Sequence, residues 1–291
     1  MTWLPWLGLT LCLLAAAALG LWEYGSRRWA ASIRALTLLL EGARIDGKVR
    51  SASTARFDSR ELLDLPAPVQ RYFRAVLKEG QPIVTSLTID MAGTFNMSIA
   101  DERWKRFTSG QRVVTCRPGF LWNARISMAP GLAARVVDSY IAGEGLLHAA
   151  VLGLFTVAKV QGGGEIARGE FMRFFAEAAW YPTALLPSQG VRWESVDEHS
   201  ANASFEDGSL ALTLLFRFNE AGLISSVRAA SRGGMVGNKV VMMPWECSLS
   251  DYQVRDGMTV PIAGEAAWIW PVGRKPYFRG TITSLRYEFA T

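Results

Sequence analysis

From Pro82 to the C-terminus the chain is a succession of short, partly alternating apolar and polar runs divided by turn residues. One long stretch in that region breaks the pattern, residues 169–193, GEFMRFFAEAAWYPTALLPSQGVRW. Phe171, Phe174, Phe175 and Ala178 stand at i, i+3, i+4 and i+7, which is one face of a helix. Glu170, Arg173 and Glu177 form a second line on the same helix, followed by Trp180. Gly162, Gly163 and Gly164 interrupt the chain before it, and Pro182 stops it because proline cannot donate the helical backbone bond. Many strands with one internal helix leave few architectures open. An antiparallel sheet must have one face covered, and this helix, at about 165–181, is the obvious cover.

The flanking runs fit that sheet. VTSLTIDMAGTF, RWKRFTSGQRVVT, FLWNARISM, ARVVDSYIAG and LLHAAVLGLFTVAKV precede the helix, and seven more such runs follow it. Turns such as Glu206-Asp207-Gly208 and Glu220-Ala221-Gly222 favour antiparallel hairpins. Pro66 and Pro68 open a shorter helix, APVQRYFRAVL, ended by Gly80. The expected fold is mainly β (α+β): an N-terminal transmembrane helix, then a large curved antiparallel sheet covered by one or two helices. The expected organisation is a membrane anchor at 1–25, a juxtamembrane helix and basic linker at 26–65, with 41–60 as linker, and a β-rich domain at 66–291.

Residues 1–22 contain no charged side chain. About 20 apolar residues cross a bilayer as a helix, and Trp3, Trp6 and Trp22 stand near its ends, where aromatic belts sit. No Lys or Arg precedes the apolar run, which favours an uncleaved single-pass anchor over a signal peptide. Residues 3–22 therefore name the lipid bilayer as a partner. Arg27 and Arg28 favour the cytoplasmic side for the following domain, and the side stays open. The net charge is +5, and residues 27–56 hold seven basic side chains against Glu41 and Asp46, a surplus equal to the whole. Running that window on to Asp64 lowers the surplus to three. The rest of the chain is near neutral, which argues against nucleic acid.

Catalytic signatures are scarce. His148 and His199 are the only histidines. Histidine-based metal sites and Ser-His-Asp triads therefore lack their main ingredient. There is no GxSxG, HExxH or P-loop spacing, so no metal and no cofactor is expected. Cys116 and Cys247 are the one pair available for a disulfide outside the apolar segment, and two isolated buried thiols are the simpler expectation.

Several segments carry a resemblance: LPAPVQRYFRAVL followed by Gln81 and Pro82, RPGFLWNARI, DSYIAGEGLL, RFFAEAAWYPTALLPSQGVRW, Trp245 and PVGRKPYFRG. Over about residues 65 to 285 the chain resembles an uncharacterised bacterial membrane-anchored family of unknown function. The order of sheet, helix and sheet also resembles the curved sheet of periplasmic lipoprotein carriers, which implies a lipid-binding cavity and an extracytoplasmic domain.

The candidate site draws on both readings: Asp138, Tyr140, Phe171, Arg173, Phe174, Glu177, Trp180, Trp193 and Trp245. The preferred expectation is a membrane-anchored binding protein. It would hold a lipid or other apolar ligand between sheet and helix, with the aromatics as contact area and Arg173 at the mouth for an acidic head group. Two alternatives stay open. One is an enzyme using Asp138 or Glu177 as acid or base, which requires these groups to converge with a shifted carboxylate. The other is an interaction scaffold, which requires a large exposed apolar patch. For Arg173 and Glu177 the residues alone allow a solvated pair, a structural ion pair or a site.

Overall fold

The computed structural model describes residues 3–50, 55–98, 102–236 and 239–290. It opens with a single unbroken helix, α1 (Leu4–Arg50). Within it, Trp6–Ile45 is long and apolar enough to cross a membrane. Residues 4–22, at 1.5 Å each, extend roughly 28 Å, close to a hydrocarbon core of about 30 Å. That part stands clear of the domain. From Gly25 onward α1 lies on the outer face of the sheet. Its Trp29 and Leu40 join Val114, Leu121, Val137, Leu146 and Ala150 in a small outer core.

The stretch 41–50 is helical rather than linker. Glu41 accepts from Arg112 Nε at 2.8 Å and pairs with Arg44 at 2.6 Å, and Arg112 and Arg44 both reach Glu288. Polar composition reads as linker, but here the polar side chains are the ones that fasten the helix to the sheet. Residues 51–54 of the expected linker lie outside the described residues.

A short helix, α2 (Ala67–Val76), buries Val69, Tyr72, Phe73 and Val76. Six strands follow: β1 (Val84–Asn96), β2 (Trp104–Val114), β3 (Gly119–Ala129), β4 (Leu132–Ile141), β5 (Glu144–Val151) and β6 (Phe155–Gly162). Then come α3 (Glu165–Ala176) and three short 3-10 turns, the first at Glu177–Trp180. Seven strands return: β7 (Arg192–Asp197), β8 (Ser200–Asp207), β9 (Leu210–Phe218), β10 (Ile224–Val236), β11 (Lys239–Arg255), β12 (Met258–Trp270) and β13 (Gly273–Phe289). The expected single run 146–160 is two strands. Leu152 and Gly153 take left-handed backbone angles, and Gly153 lies against Gly25 of α1.

All thirteen strands form one antiparallel sheet in the order β6-β5-β4-β3-β2-β1-β13-β12-β11-β10-β9-β8-β7. The chain runs outward from the centre to one edge, crosses through α3 to the other edge, and returns to pair β13 with β1. The two limbs curl toward each other around α3. Tyr140 Oη on β4 donates to Asp207 Oδ2 at the end of β8 at 2.7 Å. Phe171 of α3 touches Tyr140 on one limb and Phe205 on the other. The main core is the concave face of this curl.

Candidate functional site

α3 is buried on both of its lines. Its aromatic line stacks Phe171 on Tyr140 at 5.1 Å, and Phe175 meets Phe205 at 5.3 Å and Phe216 at 5.6 Å. Phe174 meets Tyr181 at 5.6 Å, and the Tyr181 hydroxyl donates to the Phe174 carbonyl at 2.6 Å. Trp193 donates from Nε1 to the Leu185 carbonyl and packs on Phe73 and Phe216. Trp180 is likewise buried, and its carbonyl accepts from Tyr287. Phe171, Phe174, Trp180, Trp193 and Tyr140 are thus packed core, and protein fills the place where a groove was expected between this helix face and the sheet. The helix serves as the filling of a curled sheet rather than as a cover on a flat one.

The polar line faces inward too. Arg173 donates from Nη1 to Asp138 Oδ2 and from Nε to Glu177 Oε1, both at 2.8 Å. Gln111 of β2 donates to Glu177 Oε2 at 2.7 Å. The guanidinium lies over the rings of Phe120 at 5.0 Å and Trp122 at 4.8 Å. Of the expected site residues, Asp138, Arg173 and Glu177 therefore converge, and solvation of the pair is ruled out.

Two charged residues outside the expected set complete the cluster. Glu170, one turn before Arg173, is buried, and so is Arg232 of β10. A register shift between Ala229 and Arg232 interrupts the β10–β11 ladder. Such a bulge re-aims a side chain, and the Arg232 guanidinium lies over Trp245 at 4.6 Å and Trp268 at 5.9 Å. Trp245, an expected site residue, donates to Tyr277 Oη at 2.9 Å.

Electrostatics set the protonation. Burial raises the pKa of Asp138, with the Arg173 charge opposing it. Burial, and then the charge of Asp138, lift Glu170 to about 8, so it carries a proton at neutral pH. For Arg173 burial works against the charge, but Glu177, Asp138 and Glu170 outweigh it and raise its pKa. Asp138 Oδ1, Glu170 Oε2, Arg232 Nη1 and Trp122 Nε1 are buried without a hydrogen-bond partner. Each such atom costs about 1–3 kcal/mol when nothing meets it. Arg173 is engaged by Glu177, Asp138 and Gln111, whereas Arg232 Nη1 and Glu170 Oε2 meet no hydrogen-bond partner among the described residues, and the Arg232 charge is felt at Glu170.

From this cluster a chain of aromatic contacts runs toward one end of the sheet. Trp122 meets Phe107 at 6.1 Å, and Phe107 meets Phe278 at 5.0 Å. On the other side Trp268 stacks on Tyr277 at 5.9 Å, and Tyr277 meets Phe95 at 5.7 Å. Phe95, Trp268, Tyr277 and Phe278 are partly exposed. Cys247 is a buried free thiol and Cys12 an exposed one, while Cys116 Sγ lies 3.9 Å from the Thr85 carbonyl oxygen.

A search of curated proteins returns no match. Among solved structures, a LolA superfamily protein from Nitrosomonas europaea is similar at 9% identity, covering 76% of this chain and 92% of that one, with a TM-score of 0.40. A β-barrel-like protein of domain of unknown function DUF1849 from Brucella abortus is similar at 8% identity, covering 71% and 99%, with a TM-score of 0.27. The family model for DUF6920, a family of unknown function, matches residues 63–287, nearly the whole sheet and the helices that fill it, and the chain belongs to that family.

Proposed function

We propose that this chain is a membrane-anchored binding protein for an amphiphile, an apolar molecule with an acidic head group. The observation that carries the reading is the buried pair Arg232 and Glu170. A free guanidinium donor and a protonated carboxyl offer two donors to one anionic group, in a site of low dielectric where such bonds are strongest. The aromatic lining from Trp122 and Trp268 to Phe95 supplies apolar contact for the remainder of the molecule. Arg173, with Asp138 and Glu177, holds α3 in register and does not itself take the head group. α1 supplies the membrane attachment.

The test is extraction and mass spectrometry of small molecules from the full chain purified in mild detergent. An amphiphile with an acidic head is expected in the wild type. Arg232→Gln is expected to weaken its retention about ten- to hundredfold, the worth of one charge-assisted bond. An extract from wild type that matches blank detergent sinks the reading. A second reading, proton transfer by a carboxyl group, is favoured by the position of Glu170 near neutral pH. It predicts that the retained molecule is chemically altered on incubation with wild type and unaltered with Glu170→Gln.

A further inference from the structure

At one end of the sheet lie the ends of β1, β3, β5, β10 and β12 and the starts of β2, β4, β6, β11 and β13. α1 meets the sheet at this same end. A Cβ on Gly25 would lie 2.1 Å from the Leu152 carbonyl oxygen in the β5–β6 turn. Arg135 donates to Ser26 Oγ at 2.9 Å. Fifteen residues further along α1, Leu40 packs against Gly119 at the opposite end. The uncharged segment of α1 ends at Trp22, so this rim begins within one helical turn, about 5 Å, of it.

The rim is apolar where it meets solvent. Met97, Leu132, Phe155, Val240, Met242 and Val272 are exposed there, Phe155 at 61% and Val272 at 83%. The opposite end also exposes apolar side chains, Leu63 and Val254 with Leu38, Leu39 and Ile45 of α1 around the Leu40 contact, so the anchor's exit and the arginines, not apolarity alone, distinguish the rim. Just behind the rim, on the outer face, Arg125 and Arg135 stand directly opposite each other in the β3–β4 register. Like charges so placed destabilise a sheet. Among the described residues neither has a carboxylate within ion-pair distance, and Asp90, which also faces this place, has Arg286 at 3.7 Å. The two arginines line an open depression of about 450 Å³ with Thr108, Asn123 and Asp90.

We propose that this rim is a membrane-docking surface. Its apolar tips enter the head-group layer of the bilayer that α1 crosses, and Arg125 with Arg135 clasps the phosphate of an anionic phospholipid. The bilayer is the occupant that fits, because the anchor leaves the domain at this end and unpaired cations sit behind an apolar fringe. The proposal rests on α1 being a membrane anchor, and is independent of the ligand inside the sheet.

The experiment uses the full chain in nanodiscs of phosphatidylcholine with phosphatidylglycerol, with the native cysteines replaced by alanine for spin labelling. Labels on Phe155→Cys and Val272→Cys are expected to report lipid depth, and a label on Leu63→Cys to report water. Native mass spectrometry is expected to show phosphatidylglycerol retained over phosphatidylcholine. The Arg125→Gln/Arg135→Gln variant should lower that preference about tenfold or more. Arg125→Gln alone, which keeps the Arg135–Ser26 bond, should melt at or above wild type, since a repulsion has been removed; a lower melting temperature assigns Arg125 a structural role and overturns the lipid assignment. Water-like signals at Phe155 and Val272 in a wild type that resists alkaline extraction overturn the docking surface. A wild type that alkali strips from the membrane overturns the anchor instead. Displacement of phosphatidylglycerol by inorganic phosphate in detergent assigns the arginines to a free anion and overturns the lipid assignment.

Discussion

Arg173 and Arg232 share one interior and are held in opposite ways, so the same substitution has different consequences at each. Arg173→Leu leaves Asp138 and Glu177 buried without their partner and is expected to cost about 3–5 kcal/mol in denaturant unfolding. Arg232 is stacked on Trp245 and Trp268, and among the described residues it has no ion pair. Arg232→Leu should cost under about 1 kcal/mol, while ligand retention falls. Glu170 gives a pH signature. Its carboxyl is raised from 4.5 to about 8, so the folded state keeps a proton that the unfolded state releases. Stability is therefore full below about 4.5 and declines as pH rises to about 8, and Glu170→Gln should flatten that slope in melts across the window. The convergence of Asp138, Arg173 and Glu177 was legible in the sequence as one of three options. Helical spacing shows which residues share a line but not whether that line meets water. For the same reason spacing puts Glu170 on that line without marking it as part of the site. Arg232 carries no signal in the sequence, because the bulge that turns it inward has no motif beyond the adjacent Gly233 and Gly234.

Elements pack here through small residues at close approaches. A Cβ on Gly145 of β5 would lie 2.7 Å from the backbone of Ala167 in α3. Gly145→Ala is expected to push α3 off the β5 limb and lower stability by about 1–3 kcal/mol, with near-ultraviolet circular dichroism reporting the disturbed aromatics. The antiparallel meander, α2 and the span of α3 could be read from period and turn chemistry. Two features could not. The helix from 41 to 50 is polar because it is fastened by Arg112 and Glu288, which are distant in sequence. The β5–β6 turn lacks Asn, Asp or Pro, because Leu152 and Gly153 are shaped by contact with Gly25. In both places long-range contact overrides local propensity.

At the scale of the whole molecule, the curled sheet and α1 meet at the Gly25 contact. Gly25→Leu would drive a side chain into the Leu152 carbonyl, so α1 is expected to lift from the β5–β6 turn while the interior stays folded. Faster protease cleavage near 152–154 with an unchanged unfolding midpoint is the outcome to look for. The family match begins at residue 63, so it includes the sheet but not α1. Because α1 continues unbroken from Leu4 to Arg50, it acts as a strut and not a tether. A strut has no slack: with α1 seated in a bilayer, as we propose, the domain's height above it is set by a count of residues, and spinning the helix in the plane of the membrane turns the domain through the same azimuth. Reach is therefore confined to a thin shell at one membrane surface, and any neighbour that grips α1 inside the bilayer also aims the sheet outside it.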